Sequence, residues 1–344
     1  MKSLRIGLLL IAVTGLIVAT WASYRSAPNS TWACESESAV DCLASGTFDF
    51  GELDYSRLWI QSIDVDSAAG NIVVSVGSPD TGNPTGESSG AAGIVDAQTG
   101  MVRRWLVNDA SVFATERVAF SPDGSLVGVY VLRREASEVF GQLEVFDTST
   151  GASVGTYVRT ETSVGCSRLG FAPDNRLLQC NEAIIDIATG ELVEQLDGEN
   201  RYGVASSRRW TWGLDGTSAE RGRDGLDLLI RGRAWQPGDP QELKTIAYTW
   251  RERETSWVSF DEQGSVIAVV ETGERQPWHE RWRTLHRSHS PSRLTTFEID
   301  SDSASTPVGI GFAVSAGGWA TSGDHVVVAD EDSLRFAVFA VESA

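Results

Sequence analysis

The chain of 344 residues is 41% hydrophobic, enough for a sizeable core, which excludes a disordered polymer. Net charge is −19; outside residues 1–25, which carry Lys2, Arg5 and Arg25 and no acid, 25 basic residues face 47 acidic ones, a net of −22. A body this acidic repels nucleic acid and anionic lipid headgroups, so neither is an expected partner.

The first element is an uncharged run from Ile6 to Tyr24 behind Lys2 and Arg5. As a helix it is just long enough to cross a bilayer, with the N-terminus cytoplasmic and the body outside. The alternative is a signal peptide cleaved near Ala22, which would leave the body secreted or periplasmic; the run exceeds the usual signal core, which favours the anchor. Residues 1–25 are thus read as signal-anchor or signal peptide, 26–44 as a short stem, and 45–344 as one domain. Either reading exports the body, so its cysteines are disulfide candidates. Cys34 and Cys42 are close in sequence. Cys166 and Cys180 flank a turn at Pro173-Asp174-Asn175 and fall nearly opposite in a hairpin centred there; the alternative is a pair of buried thiols.

Beyond the stem, "SIDVDSAAGNIVVSVG" (Ser62–Gly77) alternates apolar residues around a turn between Asp66 and Gly70. The plan returns in "VAFSPDGSLVGVYV" (Val118–Val131), "RLGFAPDNRLLQC" (Arg168–Cys180) and "WVSFDEQGSVIAVVE" (Trp257–Glu271). Weaker copies cover Gly203–Gly216 and Gly309–Gly323. A second phrase follows three of them: "IVDAQTG" (Ile94–Gly100), "VFDTSTG" (Val145–Gly151) and "IIDIATG" (Ile184–Gly190). There Asp can accept backbone N–H bonds, and Gly supplies the positive φ of a tight turn. The unit is therefore four antiparallel strands, recurring about every 35–57 residues, which predicts an all-β propeller of six, or seven, blades. "GTFDFGELD" (Gly46–Asp54) alternates and is placed to give the last blade its outer strand, beside "LRFAVFAVE" (Leu334–Glu342). "DVDSAAGN" (Asp64–Asn71) lacks the ligand pattern of a calcium loop and reads as a hairpin turn.

With these phrases the chain resembles WD40-like and quinoprotein-like bacterial propellers. "FSPDG" (Phe120–Gly124) carries the first resemblance, although the Gly-His and Trp-Asp dipeptides of WD40 blades are not at the matching places. "VDAQTGMVRRW" (Val95–Trp105) carries the second, in which a Trp after Asp-x-x-Thr-Gly docks neighbouring blades. Trp105 lies one residue later than that motif places it, and a one-residue shift turns a strand residue to the other face.

Two long loops stand out. Ser78–Ala91 is small and polar. Gly273–Arg293 is basic and aromatic on an acidic body, with Arg275, Trp278, His279, Arg281, Trp282, Arg283, His286, Arg287 and His289 as candidates for partner or ligand contact. The alternative is a solvated insertion whose arginines pair with nearby acids. His279, His286 and His289 have no neighbouring Cys, and no metal or other cofactor is expected. The expected function is a membrane-tethered interaction module outside the cytoplasm, holding a protein or envelope component. The alternative is a propeller enzyme, either a quinoprotein-like dehydrogenase or a hydrolase or lyase, with no catalytic residue assignable from the sequence.

Overall fold

The structure, a computed structural model, describes residues 42–51, 59–66, 68–77, 90–108, 112–135, 138–161, 166, 169–181, 183–195, 210–212, 221–222, 225–234, 241–248, 256–260, 266–271, 293–300, 308–310, 319–322, 325–330 and 334–340. Among them every regular element is a strand, and no helix is long and apolar enough to cross a membrane. The expected N-terminal helix lies outside the described residues.

The strands run β1 (Cys42–Thr47), β2 (Trp59–Val65), β3 (Asn71–Gly77), β4 (Gly90–Asp96), β5 (Val102–Val107), β6 (Val112–Phe120), β7 (Leu126–Glu135), β8 (Glu138–Asp147) and β9 (Ser153–Glu161). They continue with β10 (Leu169–Phe171), β11 (Leu177–Cys180), β12 (Ala183–Asp186), β13 (Leu192–Gln195), β14 (Trp210–Trp212), β15 (Arg221–Gly222), β16 (Gly225–Ala234) and β17 (Gln241–Tyr248). The last are β18 (Ser256–Phe260), β19 (Val266–Glu271), β20 (Arg293–Glu298), β21 (Val308–Gly309), β22 (Trp319–Ser322), β23 (His325–Asp330) and β24 (Arg335–Ala340).

Among the described residues these strands make six four-stranded antiparallel sheets. Four are simple meanders: β2-β3-β4-β5, β6-β7-β8-β9, β10-β11-β12-β13 and β18-β19-β20-β21. The first strands of successive sheets meet: β2 touches β6 and β22, β6 touches β10, and β18 touches β22. This is the β-propeller arrangement, with the first strands of these sheets innermost. One sheet departs from the expected meander, because β14, β15 and β17 all pair with the long β16.

Alternation along each strand divides the core into layers between sheets. Ile63 and Val65 of β2 belong to a buried cluster with Val327, Phe336 and Val338 of the last sheet. Val73 and Ile94 of the first sheet pack with Val118, Phe120 and Val129 of the second. Tyr130 and Leu143 of the second pack with Phe171, Leu178 and Ile185 of the third. Among the described residues the first two sheets therefore bury both faces, which a lone four-stranded sheet cannot do.

The last sheet, β1-β24-β23-β22, takes its outer strand from the N-terminal side of the domain. The pairing strand is Cys42–Thr47 rather than the expected Gly46–Asp54, so it begins within the segment read as stem. The following residues do different work. Phe48 and Phe50 are buried and stack on each other, and Phe48 also stacks on Phe336 at 4.6 Å between ring centres. Asp49 bridges to the first sheet, donating its N–H to the Gly100 carbonyl at 2.8 Å. Alternation alone could not separate pairing residues from those that plug the seam.

Candidate functional site

The basic aromatic candidates Arg275, Trp278, His279, Arg281, Trp282, Arg283, His286, Arg287 and His289 lie outside the described residues, as does Cys34. The strand ends that carry their loop are described. Glu271 of β19 pairs with Arg293 of β20, and Ser256 of β18 pairs with Glu271. Trp59, Gly77 and Gly90 hold the same register in the first sheet, where residues 78–89 form the other long insertion. Both insertions thus leave their sheets beside the start of an inner strand.

That end of the inner strands is polar. Trp59 is 39% exposed. Its indole and the Gln61 amide lie over Gly77, where a Cβ would come within 2.8 Å of the Gln61 nitrogen and 3.2 Å of Trp59 Nε1. Gln61 is the extra residue of a bulge in β2, and Glu116 is the extra residue of a bulge in β6. Each lies four residues before the end of its strand, so the irregularity repeats from sheet to sheet. A bulge re-aims side chains and breaks regular pairing. Here each bulge is tied to the next sheet. The Arg117 guanidinium donates to the Gln61 carbonyl at 3.1 Å. The Glu116 carboxylate accepts the backbone N–H of Cys166, while burial pushes this carboxyl above its usual range. Burial likewise lowers the Arg117 guanidinium, opposed by the adjacent Glu116 charge. An aromatic face, an amide, a carboxyl and a guanidinium therefore lie on β2 and β6 at the end of the first two sheets from which residues 78–89 depart. Such a set suits polar recognition; among the described residues no group of His, Cys, Asp and Glu could hold a metal ion.

Deeper along β2, Ser62 and Asp64 face the second sheet. The Ser62 hydroxyl accepts the Val118 N–H at 3.3 Å, and Asp64 Oδ2 accepts the Phe120 N–H at 2.7 Å. Burial, reinforced by the Asp66 charge, pushes the Asp64 carboxyl up to about 7 against two backbone N–H bonds that lower it. The sequence signal was present: "SIDVD" alternates Ser62, Asp64 and Asp66 with apolar Ile63 and Val65, which puts the polar residues on one face.

Cys166 and Cys180 form a disulfide with Cα atoms 5.6 Å apart. Cys180 pairs across the ladder with Leu169 rather than Cys166, so the bond reaches back ahead of the paired hairpin. It anchors the residue whose N–H serves Glu116. Cys42, on the closing strand, is also disulfide-bonded.

The opposite end of the sheets carries the repeated turns. In all three Asp-x-x-Thr-Gly phrases the Gly N–H donates to the Asp carbonyl, at 2.8, 2.7 and 2.8 Å for Gly100, Gly151 and Gly190. Each Gly has a φ near +70°. The Asp side chain accepts the Thr N–H in every copy, at 2.8, 2.7 and 3.2 Å. The Arg103 side chain first, then these N–H groups, hold Asp96 down at about 2. The Ser149 and Thr150 side chains do the same for Asp147, also at about 2. Arg176, 2.7 Å away, lowers Asp186. The two turns of one sheet are joined as well: Ala97, Thr148 and Ile187 donate to the carbonyls of Gly70, Ser125 and Arg176.

Three outer strands overlie the turn glycine of the next sheet. Thr47 lies against Gly100, Arg104 against Gly151, and Tyr157 against Gly190. Trp105, one position on from Arg104, faces the other way and packs on the seam beside Phe50, at 6.2 Å between rings. Arg104, not Trp105, is thus the residue that meets the turn glycine of the next sheet.

No protein-family model matches the chain, and no curated protein matches it. Among solved structures it is similar to TolB from Acinetobacter baumannii, at 12% identity and a TM-score of 0.43, covering 85% of this chain. This chain spans 65% of that protein's length. It is also similar to the β-propeller domain of the Trilobed protease from Pyrococcus furiosus, at 13% identity and a TM-score of 0.44, covering 79% of this chain and 78% of that one.

Proposed function

We propose that this protein is an exported β-propeller, tethered by its N-terminal helix, that holds a protein or envelope component on the face bearing its two long insertions. The observation that carries this reading is the polar end of the inner strands at Trp59, Gln61, Glu116 and Arg117, beside the strand ends Gly77 and Gly90 from which residues 78–89 depart, with Glu271 and Arg293 in the equivalent register of another sheet. Export is supported by the Cys166–Cys180 disulfide, since such bonds persist in oxidising compartments. In this reading the arginines and tryptophans of Gly273–Arg293 supply the primary contact, because Arg and Trp dominate binding hot spots. The test is affinity capture from native membranes, comparing the full-length protein with a version carrying a short Gly-Ser link in place of Gly273–Arg293. A partner held only by the intact protein is the expected result. Identical captures would overturn the role of the loop.

A further inference from the structure

We propose that the fourth sheet is an interface with a second copy of this chain: β17 of one copy lies antiparallel against β17 of the other and takes the place of an outer strand. In that sheet β15 and β17 meet opposite edges of β16, since Leu226 pairs with both Arg221 and Tyr248. β14, antiparallel to β16 like β15, meets its far end at Arg233 and Ala234. Among the described residues β17 pairs with β16 alone, and no strand lies on its other edge. Such an edge is a template for pairing with another chain.

The connection that follows β17 is too short to supply the strand. In four other sheets the stretch from the third strand to the first strand of the next sheet is 97–111, 148–168, 187–209 or 299–318, and each contains the outer strand. After β17 it is 249–255, shorter than the eight residues of β17 even before a turn is counted. The last sheet takes its outer strand from the N-terminal side, and no described strand is left over to do the same for the fourth.

The edge suits a copy of itself. Its first half is guarded: Leu243 is the extra residue of a bulge and Lys244 follows, two devices that discourage indiscriminate strand addition. From Lys244 to Tyr248 the strand is regular, pairing in turn with Ile230 to Leu226. This half holds Thr245, Ile246 and Tyr248, residue types that favour strands. A two-fold axis at Ile246 sets Ile246 opposite itself, Thr245 opposite Ala247 and Lys244 opposite Tyr248, so no like charges meet. Charge favours the same approach. The described strands of the fourth sheet hold Arg221, Arg231, Arg233 and Lys244 against Asp227 and Glu242, whereas in none of the other five sheets do basic residues outnumber acids. On a chain of net charge −19, this is where two copies approach with the least repulsion. The edge belongs to a different sheet from the polar inner-strand ends, so this pairing is independent of what that face holds.

The test uses the full chain in detergent, because of its apolar N-terminal run. The sedimenting mass, corrected for detergent, should be that of two chains. Ile246→Lys and Ile246→Glu each set like charges opposite one another at the axis, and each alone should sediment as one chain. Mixed in equal amounts they should regain the two-chain mass, a rescue that misfolded variants cannot give. Ile246→Cys should oxidise to a cross-linked dimer, whereas Leu192→Cys, exposed on β13, should not. A wild type of one chain at every concentration would overturn the interface. So would a two-chain mass that neither charge substitution changes, or folded variants that do not recombine. Should the charged variants fail to fold by circular dichroism, the cysteine pair decides: no cross-link at position 246, or an equal one at 192, refutes the interface.

Discussion

Arg104 lies across Gly151 of the following sheet, and its guanidinium donates to the Ser149 carbonyl at 2.7 Å. A Cβ at Gly151 would collide with Arg104 Cδ, whereas one at Gly100 would collide with the Thr47 carbonyl oxygen, which is backbone and cannot swing aside. At Gly190 the nearest atom would be a Tyr157 ring carbon at 3.2 Å. All three glycines have positive φ, which alone costs an L-residue about 1–2 kcal/mol. Substitution by Ala should therefore destabilise in the order Gly100, Gly151, Gly190, with Gly190→Ala near that backbone cost. Urea unfolding midpoints check the ranking, and a flat series would show that the outer strands yield freely.

The Thr115 hydroxyl lies 2.9 Å from the Val76 carbonyl and 3.0 Å from that of Ala91, fully buried between the first two sheets. Thr115→Val keeps the shape and removes the donor. The expected loss is about 1–2 kcal/mol, with Thr115→Ser retaining more of the stability in the same denaturation experiment.

Removing the Cys166–Cys180 bond, which closes a loop of 14 residues, should cost about 3 kcal/mol by the loop-entropy account. Both sulfurs are buried, so mild reductant should act only once the protein opens. Free-thiol labelling along a denaturant series, with and without reductant, reads both effects.

Acid should weaken the turn-bearing face. Asp96 and Asp147 titrate at about 2 in the fold against an ordinary 3.8. Depressed folded values give stability that is present above about 3.8 and lost as pH falls through about 2. Thermal midpoints measured from pH 5 to pH 2 should fall for the wild type and fall less for Asp96→Asn. Because these carboxylates are solvent-accessible, added salt should shrink the difference.

The turns were the most legible part of the molecule. Pro-Asp-Gly and Asp-x-x-Thr-Gly state a local backbone requirement in a few residues, and the structure has Gly100, Gly151 and Gly190 in one conformation. The fourth copy was harder to read: Gly203–Gly216 predicts a hairpin, but β14 and β15 both use β16, a partnership chosen by long-range pairing. The bulges at Gln61 and Glu116 were also invisible, because an extra residue changes which partner sits opposite without changing composition. The polar inner-strand ends follow from those bulges and were missed with them. Asp64 was visible as a polar residue in an apolar strand, and only the position of Phe120 gave it a partner.

The closing strand sets the order of events in folding. Residues from Cys42 to Thr47 meet residues from Arg335 to Phe339, across nearly the whole body of the chain. During synthesis the earlier sheets can assemble from local hairpins, but the ring stays open until β24 emerges. Until then β1 has no partner, and Phe48 and Phe50 lack Phe336 to cover them. Pairing of β24 with β1 therefore converts a row of sheets into one closed body, and loss of β24 should leave a chain with two sticky ends rather than a slightly smaller propeller.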